Sequence, residues 1–210
     1  MLFALTDFLV VIGAGIGLWR LWPYRKDGRV RMVRLGLIAL ALAALIGTVR
    51  FAAGLDTELA PWHSLASDFA ASAGFLLIAL GAALALLKKP LPPAGTRYLR
   101  VGIPVVIAFF LVFPGLGAVA DLIPPLALLL GLATGGALLT RKDWIPGVLW
   151  LASFGLVGVV SLALGGSREI ATLGIANWHV YHAVLGLCAA GMGEATRRLY
   201  SHTRTRAAHN

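Results

Sequence analysis

Seven apolar stretches, each about twenty residues long, run through this chain of 210 residues and constrain its fold more than any other feature. An α-helix of that length spans the hydrocarbon core of a bilayer and satisfies its own backbone hydrogen bonds there. The pattern therefore predicts an all-α membrane protein with seven transmembrane helices. The predicted spans are Leu2–Leu21, Leu35–Leu55, Ser64–Leu87, Val101–Ala120, Leu122–Thr140, Ile145–Gly165 and Ala176–Arg197.

The composition agrees with a membrane class and excludes an ordinary soluble domain. Hydrophobic residues make up 59% of the chain and charged residues 13%, whereas soluble domains average about 45–50% and about 25%. The loops between the spans are short, so residues 1–210 are predicted to form one membrane domain. The first span carries Asp7 and lacks a convincing cleavage site, so we expect it to be a retained helix rather than a signal peptide.

The net charge of +9 is distributed unevenly between the two sets of alternating loops. One set and the tail hold 16 of the 18 basic residues, and the other set holds only Arg50 and Arg168. Cytoplasmic loops carry such an excess, which predicts an outside N-terminus, an inside C-terminus and a cytoplasmic (inner) membrane. We therefore interpret the basic residues as contacts for membrane lipid rather than for nucleic acid.

A repeated pattern divides the chain into related halves. Ala60, Trp62 and His63 recur 116 residues later as Ala176, Trp178 and His179, and the RKD at 25–27 recurs at 141–143 with the same offset. This predicts a parallel 3+1+3 duplication of the kind found in some transporters. Helices 1–3 (1–88) would match helices 5–7 (121–198), with a linker helix at 101–120 and a basic tail at 199–210.

Three histidines are predicted to meet at the outer end of the bundle. His179 and His182 lie on one face at the start of the last span, and the duplication brings His63 to the same depth. Three histidines are enough for a catalytic zinc ion that keeps one position for water. The alternative is that the Trp-His pairs only anchor helix ends at the membrane interface, although His182 lies one turn deeper.

Further polar residues accompany the predicted histidine site. Ser67 shares a helix face with His63, and Asp68 could orient a histidine of the last helix, so both are candidate catalytic residues. The alternative for Asp68 is an ion pair with Arg50 at the end of the second span. Asp7 is expected to face either the same cavity or water.

The last helix, with NWHVYHAVLGL at residues 177–187, resembles the seventh helix of the alkaline ceramidase and progestin–adiponectin receptor superfamily. The resemblance implies a seven-helix, zinc-dependent membrane hydrolase acting on a lipid-like substrate, with the N-terminus outside. That family spaces its last histidines as His-x-x-x-His, whereas this chain has His-x-x-His. The family's histidine on the second helix has no counterpart here, so His63 would have to replace it.

Other functions are open at this stage. A small transporter or sensor with a histidine-lined outward cavity, taking a lipid or another small molecule, also fits the duplication. Haem held by His63 and His179 is a less favoured third possibility. Retinal is not expected, because all four lysines, Lys26, Lys88, Lys89 and Lys142, lie in predicted loops.

Overall fold

A computed structural model of the chain describes residues 2–87, 91–113, 115–164 and 174–208, with side chains described up to residue 201. Lys88, Lys89 and Arg168, which entered the charge count, lie outside the described residues. The regular elements within these stretches are helices. They are α1 (Leu2–Arg20), α2 (Gly28–Ala52), α3 (Ala60–Phe69), α4 (Phe75–Ala85), α5 (Pro93–Val112), α6 (Gly117–Ala120), α7 (Ile123–Thr140), α8 (Trp144–Ala163) and α9 (Asn177–Ala208).

Six helical segments are long and apolar enough to cross a membrane, which bears out the membrane class. They are α1, α2, the continuous helical run Ala60–Ala85, α5, the run Gly117–Thr140 and α8. The predicted seventh span forms the longest helix, α9, but polar residues at both of its ends lower its average hydropathy. Its middle is buried, with Cys188, Ala189 and Met192 in the core.

Two predicted spans differ from the observed helices. The third contains a π-helical segment, Ala70–Gly74, between α3 and α4. The fourth was predicted at 101–120, but α5 begins at Pro93 and ends at Val112, and α6 is a separate short turn. A proline at 114 explains this ending, because the residue before a proline is disfavoured in a helix and Phe113 is accordingly extended.

The helices pack as a ring. In order around it come α1, α2, α4, α7, α8 and α9, and α9 closes the ring by packing along α1. The helix α5 lies outside the ring, against α2 and α3. Trp150, Phe154, Leu37 and Met192 are among the side chains that fill the ring interior.

The two ends of the ring differ in charge. At one end Arg20 pairs with Glu194, Arg141 donates a hydrogen bond to the Leu86 carbonyl, and the rings of Tyr24 and Tyr200 touch. This basic end also carries Arg25, Arg31, Arg34, Arg197 and Arg198. At the other, acidic end, α1, α3 and α9 begin and α2 ends, and Asp7, Asp56, Glu58 and Asp68 lie there. This separation is the arrangement that the loop charges predicted.

Glycines allow α1 and α9 to approach closely. A Cβ atom added to Gly13 would overlap the backbone of Gly186, and one added to Gly17 would lie 2.9 Å from the carbonyl oxygen of Ala189. Gly13 and Gly17 are four residues apart, which is the spacing that lets two membrane helices bring their backbones together. The two helices run in the same direction, so their first turns meet at the acidic end.

Candidate functional site at the acidic end

A buried carboxylate forms the centre of the site. Asp7, in the second turn of α1, has an exposed fraction of 0%. The Trp178 indole N–H donates a hydrogen bond of 3.0 Å to its Oδ1 atom. The Nε2 atom of His182 lies 3.4 Å from Oδ1, and the Nε2 atom of His63 lies 3.9 Å from Oδ2. Because α1 and α9 begin close together, the Asp7 carboxylate of α1 lies next to the His182 ring of α9, and the His63 ring approaches it from α3.

The hydrogen bonds of His182 indicate where its proton lies. Its Nδ1 atom is 2.8 Å from the carbonyl oxygen of Trp178, one turn earlier in α9. A carbonyl oxygen can only accept, so Nδ1 carries a hydrogen. A neutral ring would then direct the lone pair of Nε2 towards the Asp7 carboxylate, which is an unfavourable contact. One proton held between His182 Nε2 and Asp7 Oδ1 removes that conflict.

The ring of His63 is oriented by a basic residue. Nη1 of Arg50 lies 3.4 Å from its Nδ1 atom, and arginine can only donate, so this nitrogen accepts and Nε2 carries the hydrogen. Arg50 also donates through Nε to the backbone carbonyl of Asp56, 3.0 Å away, and its Nε lies 3.9 Å from the Asp56 carboxylate. Among the described ion pairs the partner of Arg50 is therefore Asp56, in the loop after α2, and not Asp68 as suggested.

Gly47 of α2 provides the space for these groups. A Cβ atom added there would overlap Oδ2 of Asp7 and come within 2.6 Å of Nε2 of His63. The end of α2 therefore supplies both Arg50, three residues further on, and the gap into which the carboxylate fits. The Trp178 ring stacks on His182 with centroids 4.2 Å apart and also contacts His63.

A cavity of about 300 Å³ adjoins this cluster inside the ring. His63 and His182 border it together with both candidate catalytic residues, Ser67 and Asp68. Both histidines are buried, at 5% and 8% exposure, whereas Asp68 is exposed. The remaining wall is largely apolar and comes from α1, α2, the π-helical segment and α9. Four of the sequence-predicted residues, His63, Ser67, Asp68 and His182, thus border one cavity. Asp7 contacts both of these histidines, and Arg50 contacts His63.

His179 has a different environment. Its Nδ1 atom lies 3.1 Å from the hydroxyl of Thr6, and its ring packs on Phe3 with centroids 4.6 Å apart. Within the described stretches, no group of three or more His, Cys, Asp and Glu side chains is arranged to hold a metal ion. The predicted three-histidine zinc centre is therefore not found among these residues, and zinc binding stays a proposal. A haem between His63 and His179 stays a prediction, because the contacts with Arg50 and Thr6 involve Nδ1 of each ring, and metal-bound imidazoles commonly make such a contact through their second nitrogen.

Two residues are more central than the sequence indicated. Asp7 was predicted only as an accompanying residue, and Trp178 only as a repeat marker or an anchor. The available signal was the position of Asp7, a charged residue well inside an apolar stretch, where such residues generally need a partner. The sequence placed Asp7 in the histidine cavity only as one of two alternatives, and it did not single out Trp178 as a hydrogen-bond partner.

Comparisons with protein-family models, with curated proteins and with solved structures found no match to this chain. The geometry of the acidic end is therefore the basis on which a function is argued.

Proposed function

We propose that this protein is a small proton-coupled transporter or sensor of the membrane, with Asp7 and His182 as its proton-exchanging pair. The observation that carries the proposal is the buried Asp7 carboxylate between two imidazoles. Ionisable groups inside a membrane helix bundle are costly, and they commonly mark proton relays and substrate pathways. Histidine is the side chain best suited to exchange a proton near neutral pH.

The hydrogen bonds around the pair support a proton that can move. The Trp178 carbonyl fixes one nitrogen of His182 as a donor, so Nε2 is left to exchange a proton with Asp7. The cavity lies beside His182, so a molecule that enters it would alter the surroundings of the same ring. Occupation of the cavity and protonation of the pair would then be linked.

The side of the membrane follows from charge. We place the acidic end at the outer face of a cytoplasmic membrane, because the basic end carries the arginines that normally remain inside. The 3+1+3 duplication forms part of the same proposal. If the halves are related by a two-fold axis, their six helices should form a ring, with the linker helix outside it. The position of α5, the linker helix, outside the observed ring supports this relation.

Infrared difference spectra recorded between about pH 5 and about pH 9 in lipid nanodiscs test the exchange of protons. The wild type should give carboxyl and imidazole bands that disappear in Asp7→Asn and change in His182→Gln. Glu58→Gln is the matched control, because it removes an exposed carboxylate at the same end that bonds to Thr57 rather than to the cluster. A wild-type spectrum identical to that of Asp7→Asn would contradict the proposal.

The zinc-dependent hydrolase stays a second candidate on one observation, the presence of Ser67 and Asp68 in the wall of the cavity that His63 and His182 border. It is the less favoured one, since no group of three or more metal-binding side chains is arranged for an ion among the described residues. Metal analysis of the purified protein tests it. One zinc per chain, lost in His182→Ala, would favour the hydrolase over the proton-exchanging pair.

A further inference from the structure

A second cavity lies in the other half of the ring. It encloses about 290 Å³ between α7, α8, the start of α4 and the start of α9. Its wall consists of hydrocarbon groups apart from the hydroxyls of Ser161 and Tyr181. The apolar lining includes Pro124, Leu128, Phe154 and Val157. We call it the apolar chamber, and the cavity beside His63 and His182 the polar chamber.

The two chambers share a thin wall. Ala71, Phe75 and Tyr181 border both of them, so in places a single side chain separates one chamber from the other. Ala71 belongs to the π-helical segment, and π-helical turns within α-helices occur frequently at functional sites. The Tyr181 ring also packs edge-on against the His182 ring, with centroids 5.2 Å apart. A ligand reaching through this wall would therefore contact the proton-exchanging pair.

The charge of the polar chamber favours a cation. Apart from the histidines, Asp68 is the only charged residue among the described residues that border the chamber, and its charge is negative. Arg50 does not border the chamber, since its guanidinium faces Asp56 and His63. Asp121 adds negative charge close to Asp68. Trp178 and Tyr181 also border the chamber, and aromatic rings suit a cationic group.

From these observations we infer that the ligand is a single-chain amphiphile with an ammonium head. The head would lie in the polar chamber between Asp68 and the two histidines, and the hydrocarbon chain would pass Ala71 and Tyr181 into the apolar chamber. Each chamber has a volume near the lower limit of known ligand sites, and together they suit a molecule with two chemically distinct parts. The inference rests on the proposed function, because it names the ligand class of the same site.

Binding of octylamine to the protein in nanodiscs, measured by native mass spectrometry, tests this inference. Octanol lacks the charge, octanoate reverses it, and butylamine shortens the chain. We expect octylamine to bind about tenfold more tightly than each of the three. Equal binding of octylamine and octanol would overturn the ammonium head, and equal binding of octylamine and butylamine would overturn the role of the apolar chamber.

Paired variants locate each part of the ligand. Asp68→Asn should remove the preference for octylamine over octanol, and Glu58→Gln, which changes an exposed carboxylate at the same end, should leave it unchanged. Gly158→Val fills the apolar chamber and should remove the preference for the longer chain. Gly155→Val is its control on the same helix, because a Cβ at Gly155 meets no atom within 4 Å. If Gly158→Val binds octylamine as the wild type does, the chain does not occupy this chamber.

The two proposals can fail separately. Octylamine binding that depends on Asp68 and Gly158, in a protein without the infrared bands of Asp7, would retain the amphiphile and reject proton exchange. Bands that depend on Asp7, in a protein with no preference for octylamine, would reject the amphiphile alone.

Discussion

Trp178 contributes to the site through two different parts of its side chain. Its N–H donates to Asp7, and its ring stacks on His182. The carboxylate is fully buried, so each hydrogen bond that it accepts offsets part of the cost of removing a charge from water. Trp62, at the equivalent position of the repeated pattern, is 64% exposed and suits an interface anchor.

Trp178→Phe should therefore destabilise the protein while keeping most of the ring stacking. The loss of a hydrogen bond to a charged group predicts a decrease of about 1.5–3 kcal/mol in the free energy of unfolding. Trp62→Phe is the matched control and should change it by less than about 0.5 kcal/mol. Unfolding in mixed detergent micelles measures both variants, and equal effects would contradict the role given to the indole N–H.

Asp27 stabilises the start of α2 at the basic end. Its carboxylate accepts hydrogen bonds from the backbone N–H of Arg29 at 2.8 Å and from the guanidinium of the same residue. Burial raises the pKa of Asp27, but the hydrogen bonds and the positive charge of Arg29 outweigh it and hold the pKa below the ordinary value of 3.8. The stabilisation is thus present above about pH 4 and is lost as the pH falls through the lowered pKa.

Asp27→Ala should lower the free energy of unfolding by about 1 kcal/mol at neutral pH, as expected for the loss of an N-cap. The difference from the wild type should shrink as the wild-type carboxylate is protonated in acid. Asp27→Asn retains a capping oxygen and should lose less. Unfolding curves at neutral pH and at about pH 3 check the sign, and a difference that grows in acid would contradict it.

At the scale of the helices, the seam between α1 and α9 holds the site together. The backbones approach closely at Gly13 and Gly17, and the first two turns of the helices carry Asp7, Trp178 and His182. A side chain added in the seam must separate the helices, because the atoms opposite belong to the backbone and cannot rotate away.

Gly13→Val should destabilise the protein by about 1–3 kcal/mol, in line with the cost of overpacking. It should also weaken the infrared bands of Asp7, because the carboxylate would move away from Trp178 and His182. Gly15→Val is the control on the same helix, since a Cβ at Gly15 meets no atom within 4 Å. An unaltered site in Gly13→Val would show that the seam does not position Asp7.

The sequence predicted the elements better than their contacts. Apolar length alone located most of the helices, because each span must satisfy its own backbone hydrogen bonds. It failed at Phe113, where a following proline ends α5 inside an apolar stretch, and at Ala70–Gly74, whose π-helical turn has no local pattern. His63 and His182 border one cavity, as the sequence predicted, but the choice of His182 over His179 depends on how α9 is rotated against α1.

At the scale of the whole molecule, the separation of charge predicts an orientation that labelling can test. Glu58→Cys, in the loop after α2 at the acidic end, should react with a membrane-impermeant maleimide added to intact cells. Arg141→Cys, at the basic end, should react only after the cells are opened. The native Cys188 is buried and provides little background. The reverse pattern would overturn the outside N-terminus.

The six-helix ring could not be derived from hydropathy, because lipid-facing and protein-facing residues of a membrane helix are both apolar. Leu126 and Leu129 of α7 are exposed, whereas Ala127 of the same turn is buried. The repeated Trp-His pattern indicated an order for the halves. The residue 116 positions after Asp7 is Ile123, so only the first half of the repeat carries this acidic group. The pattern did not indicate that the site would depend on a residue present in one half alone.

The π-helical segment also affects how the chain tolerates changes in length. A π-helical turn holds one residue more than the α-helical turn that it replaces. Deleting one alanine from Ala70–Gly74 would convert the segment into an ordinary α-helical turn that covers the same angle, so α3 and α4 would keep their relative rotation. A deletion of one residue within α4 would instead rotate everything before it by about 100°. The π-helical segment can therefore absorb the loss of one residue with His63, Ser67 and Asp68 still at the polar chamber, whereas the same loss a few residues later would turn all three away from it.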